Sequence, residues 1–127
     1  MSERAGLGNQ RQLPAGKIEV SPRAIATIAA ESVRQSYGVV GMAPRNIREG
    51  VAQVLRRQDA HKGVDVHVRG DAIVIDLYIV VAYGTRIAEV ARNVRETVHY
   101  AAEQALGMPV AEVNVRVQGL QMQDNAS

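Results

Sequence analysis

Two-residue alternation dominates the middle of the chain. Val64, Val66 and Val68 alternate with Asp65, His67 and Arg69; Gly70-Asp71 follows, and Ile73, Ile75, Leu77, Ile79, Val81 and Tyr83 then recur at every second position. Period two marks a strand with one buried face, and a two-residue break led by glycine between two such runs predicts a hairpin. Pairing across the turn sets Val68 against Ile73 and Val66 against Ile75, so apolar meets apolar. A slip of one residue would turn every valine outward, which fixes the register.

The periodicity changes on either side. Ser21-Pro22 predicts a helix start, with Ile25, Ile28, Ala29, Ser32 and Val33 as its inner stripe and Gly38 as its exit. Asn46 with Glu49 three residues on resembles a capping box. It predicts a second helix with Ile47, Val51, Val54 and Leu55 on one face, and Arg56 and Arg57 suit its negative end. After Gly84-Thr85 a long helix is expected to about Leu106, with Ile87, Val90, Ala91, Val94, Val98, Ala101, Ala102 and Ala105 inward; Gly107 and Pro109 stop it. Short strands are predicted at Lys17–Val20, from Ile18 and Val20 alternating with Lys17 and Glu19, and through Val113, Val115 and Val117 near the end; Val39–Met42 is strand or loop.

The predicted order is β-α-(short β)-α-β-β-α-β, an α+β fold whose small mixed or antiparallel sheet has its helices on one face. Residues 1–15 and 121–127 lack periodicity and are expected to be a flexible arm and tail around a single domain at 16–120. The outer sheet face then carries Asp65, His67, Arg69, Val74, Asp76, Tyr78, Val80, Glu112, Asn114 and Arg116. It is half polar, with an apolar patch of Val74, Tyr78 and Val80 that favours docking over simple solvation.

Composition narrows the function. The chain of 127 residues is 46% apolar but has no Phe or Trp and four Tyr, so its core rests on Val, Ile, Leu and Ala. Few rings argue against a cofactor pocket or a base-stacking platform. The formal charge is +2, from +4 in residues 1–60 and −2 in 61–127, too even for a concentrated basic stripe. Without cysteine there is neither disulfide nor thiolate metal site, and no apolar run is long enough to be a signal core or a bilayer span. These features imply a cytoplasmic protein whose membrane contact is peripheral.

Catalytic chemistry is sparse. Gly38-Val39-Val40-Gly41 spells the GXXG of some RNA-binding loops, but two valines add no donor for a phosphate, and a tight apolar turn is the simpler reading. His61, His67 and His99 are not at helical metal-pair spacing. One constellation stands out: the hairpin register places Asp65 directly opposite Asp76. Paired carboxylates can do acid–base work or hold a divalent cation, whereas neutralisation by Arg116, Lys17 or a partner's arginine is the plainer alternative. No enzyme activity, cofactor or metal is expected, although the pair leaves cation binding open.

Several segments also resemble a known family: Gly16-Lys17-Ile18-Glu19-Val20, Gly38-Val39-Val40-Gly41-Met42, the run from Ile75 to Gly84, Val90-Ala91-Arg92-Asn93-Val94, and the run from Val113 to Gly119. In this order they are similar to the alkaline-shock, or general envelope-stress, protein family of Gram-positive and related bacteria. That resemblance implies a non-catalytic protein of envelope homeostasis, self-associating and recruited beneath the membrane by a membrane-anchored partner. The expectation is therefore a homo-oligomeric scaffold or adaptor docking through Asp65, His67, Val74, Asp76, Tyr78, Val80, Asn114 and Arg116, without nucleic acid. The alternative is an RNA-associated protein using the basic first half and the Arg-bearing arm.

Overall fold

The computed structural model describes residues 16, 18–46 and 53–122. Helix α1 spans Pro22–Val33, where Ser21 Oγ accepts from the Ala24 amide at 3.1 Å and Pro22 occupies the first turn. Strand β1 is Val39–Met42, a 3-10 segment covers Arg57–Gly63, and β2 (Val64–Arg69) and β3 (Ala72–Ala82) form the hairpin. Helix α2 spans Ile87–Leu106, ended by Gly107 in the left-handed region at φ 71°, and β4 is Glu112–Gln121. A left-handed glycine after the last turn closes a helix without a Cβ penalty.

β3 is the centre of the sheet. β4 runs parallel along one edge from Val74 to Ala82; β2 is antiparallel to residues 72–77 and β1 to residues 79–81. Because β4 occupies one edge throughout, β1 and β2 lie end to end along the other. The sheet is therefore mixed, the parallel pair being joined by α2 as a crossover requires. The inner face supplies Ile73, Ile75, Leu77, Ile79 and Val81, which pack with Ile25, Ala29 and Val33 of α1 and with Val90, Val94, Val98 and Ala102 of α2. This is the α+β arrangement, helices on one face, that the sequence pattern predicts.

Several local expectations change. Residues 18–20 form no strand, and Ile18 is 82% exposed, so its alternation with Glu19 meets no sheet edge; Lys17 lies outside the described residues. The capping-box helix falls mostly on residues 47–52, also outside them, and 53–56 are irregular. Arg56 therefore precedes the 3-10 segment rather than closing a helix. Tyr83 lies beyond the end of β3 and is 60% exposed, and Ile87 of α2 is exposed as well. Gln121, expected in the tail, still belongs to β4.

The string Gly38–Gly41 leads into β1 and is not a free loop. Val39 pairs with Val81, Gly41 pairs with Val80, and the Gly38 carbonyl accepts from the Ala82 amide at 2.8 Å. A backbone committed to sheet pairing cannot also clamp a sugar-phosphate chain.

Candidate functional site

Register alone builds the outer face. Side chains of residues directly opposite in a sheet share a face, so β2, β3 and β4 lay down cross-strand rows. One row is His67–Val74–Glu112 and the next is Asp65–Asp76–Asn114; beyond them Tyr78 stands beside Arg116. Of the eight residues expected on this surface, six stand there exposed or half-exposed, and Asp76 lies among them but is buried, at 9%.

Val80 is the exception. It is fully buried, although it points to the outer side. Its neighbour across the pair is Gly41, and a Cβ at Gly41 would lie 2.6 Å from Val54 Cγ1. The Gln118 side-chain amide, from β4, donates to the carbonyls of Pro44 and Arg45 at 3.3 and 3.2 Å, spanning β3 from one edge to the other. Val54 and this polar bridge close over that end of the face. Val80 is therefore core and no contact residue, and of the apolar patch expected on this surface Val74 and Tyr78 remain, both half-buried.

The middle row holds the charge. Asp65 and Asp76 are direct partners, as the hairpin register predicts. Arg45 Nη1 donates to Asp65 Oδ1 at 2.6 Å, an ion pair open to solvent on both sides. Asn114 Nδ2 donates to Asp76 Oδ1 at 2.8 Å, and His67 Nε2 lies 3.3 Å from Asp76 Oδ2. The cation on Asp65 is thus Arg45, whereas Arg116 is registered with Tyr78 and Lys17 lies outside the described residues. Each carboxylate has one oxygen held by a donor from outside the pair. Asp65, His67 and Asp76 each offer one ligand atom, all within 4.8 Å of one another, so among the described residues these could hold a metal ion.

Sequence reasoning missed Arg45 and the role of Asn114. Arg45 follows β1 and reaches Asp65 across twenty residues, with no local pattern to announce it. Asn114 depends on the register of a parallel pair, which a crossover helix does not fix in the way a two-residue turn does. His99 has a structural role: its Nε2 lies 2.8 Å from the Val110 carbonyl, while Glu103 accepts from the Val110 amide at 2.8 Å. Those bonds tie the end of α2 to the entry of β4.

With the fold and surface in place, the chain's class is that of the small one-sided α+β proteins of the alkaline-shock type. The model of the alkaline-shock protein 23 family, described as of cell envelope-related function, matches residues 10–122, and this protein belongs to that family. Its relatives include the uncharacterized protein YloU of Bacillus subtilis strain 168, 43% identical over 84% of this chain and 90% of that protein. The uncharacterized protein Spy1614 of Streptococcus pyogenes serotype M6 is 38% identical over 84% of this chain and 89% of its own length. YqhY of Bacillus subtilis strain 168 is 32% identical, covering 87% and 82%. Among solved structures, the copper form of the MamM CTD aligns with a TM-score of 0.47 at 14% identity, covering 82% of this chain and 88% of that one. No helix among the described residues is long and apolar enough to cross a membrane.

Proposed function

We propose that this protein is a non-catalytic, cytoplasmic scaffold of envelope homeostasis that self-associates and engages a membrane-anchored partner through the outer face of its sheet. The observation that carries the reading is the one-sidedness of the sheet. Both described helices pack on the inner face, while the outer face presents Val74 and Tyr78 between Asp65, His67, Asn114 and Arg116. An aromatic and a β-branched side chain ringed by charge is the composition of a protein contact, the apolar pair supplying affinity and the charges orientation. The family's envelope-related description supports the partner class, and the absence of a spanning helix among the described residues is compatible with recruitment by another protein.

Tyr78→Ala tests this directly. It removes the largest apolar side chain of the face without touching the helix-packed core. The expected result is a smaller particle mass in light scattering, with an unchanged circular-dichroism spectrum and melting temperature. A mutant that keeps both wild-type mass and partner capture would remove this face from the proposal.

A further inference from the structure

We infer that Asp65, His67 and Asp76 form a binding site for one borderline divalent cation of the zinc class on the outer sheet face. The inference does not depend on the docking role of that face.

The donor set decides the class of ion. Imidazole with two carboxylates suits zinc, cobalt, nickel or copper, whereas calcium and magnesium take oxygen alone. Asp65 and His67 share a face of β2 at i, i+2, and Asp76 enters from the directly opposed position of β3. Three donors on two hydrogen-bonded strands are held by backbone register and do not rely on loop conformation. Two ligands on one tetrahedral ion with bonds of about 2.0–2.1 Å stand about 3.3 Å apart. His67 Nε2 and Asp76 Oδ2 are 3.3 Å apart.

Two further features point the same way. Like charges directly opposite in an antiparallel pair are destabilising, so a facing Asp65 and Asp76 call for a cation between them. Arg45 answers for Asp65 only, through a solvent-open pair that contributes little and yields readily to an ion. Then there is the outer support: Asn114 fixes Asp76 through Oδ1, which leaves Oδ2 turned to His67. Carboxylates that bind metals are held in this way by a donor behind them, and losing the donor lowers affinity about 10–100-fold. The position towards solvent is open to water or to a donor from another chain.

The experiment is calorimetric titration of zinc chloride into the full-length protein, with cobalt absorption as a second readout of coordination. One ion per chain is expected, with tetrahedral-type cobalt bands. His67→Ala and Asp76→Asn each weaken zinc at least about tenfold, Asn114→Ala weakens it about tenfold, and His61→Ala leaves it unchanged. Because His67 is half exposed, its variant folds even if Asp76→Asn does not, and it decides the matter alone. No saturable heat from the wild type, or unchanged affinity in His67→Ala, would overturn the site.

Discussion

At Gly38 two constraints meet in one residue. The backbone sits at φ +88°, and an added Cβ would fall 2.7 Å from Cγ2 of the buried Val90 on α2. A side chain there costs backbone strain of about 1–3 kcal/mol, and the stiff valine rotamer leaves the clash little room to relax, adding a similar amount. Gly70 isolates the first term, because at φ +60° it has nothing within 4 Å of a built Cβ. Gly38→Ala should therefore destabilise by about 2–6 kcal/mol and Gly70→Ala by about 1–3 kcal/mol, read as shifts in the urea midpoint at constant slope. Equal shifts would mean that Val90 moves freely and that the helix–sheet contact is soft. At this scale the sequence reveals pairs but not their surroundings. Asp65 against Asp76 follows from the turn, whereas the burial of Val80 follows from a missing side chain at Gly41, filled by Val54 from a stretch whose periodicity predicts a helix but which is irregular at 53–56.

The two helices begin differently. α1 has a serine cap, whereas Arg86 at the same position of α2 makes no capping bond and sets its positive charge at the positive end of the helix dipole. Arg86 does lie 3.7 Å from Glu89, but it is 83% exposed, so the pair contributes little. Arg86→Ser gives the first turn a side-chain acceptor beside the Arg86 carbonyl, which already takes the Glu89 amide at 3.1 Å, and is expected to stabilise by about 0.5–1 kcal/mol, while Ser21→Ala costs about 1 kcal/mol. Calorimetric melting should show shifts of opposite sign, about 2–5 °C each. Unchanged melting for both would show that neither helix end limits stability. Elements with sustained periodicity, the hairpin and the two helices, were legible because many positions agree with one period. Ile18-Glu19-Val20 shows why so short a run does not suffice: alternation states a preference for an edge, and residues 18–20 form no strand.

For the whole molecule the question is how a protein whose described helices are all too polar or too short for a bilayer comes to belong to an envelope family. Recruitment by a membrane-anchored protein and association with RNA make opposite demands. Docking on a sheet face built around Val74 and Tyr78 buries apolar area and tolerates salt, whereas binding to phosphates releases counterions and weakens steeply as salt rises. The charge is spread in the same sense, since +2 overall comes from a basic first half and an acidic second half. In native cells the protein should therefore sediment with membranes, stay there in about 0.5 M salt and after nuclease treatment, and appear in the soluble fraction when Tyr78 is replaced by alanine. Release by nuclease or by salt alone would transfer the weight of argument to the RNA reading. Retention of Tyr78→Ala on the membrane would instead place the docking surface elsewhere on the molecule, with the exposed Tyr37, Tyr83 and Met122 as the next side chains to test. Those three flank the bonds from the Ala82 amide to the Gly38 carbonyl and from the Tyr83 amide to the Gln121 carbonyl, so they gather at one end of the sheet.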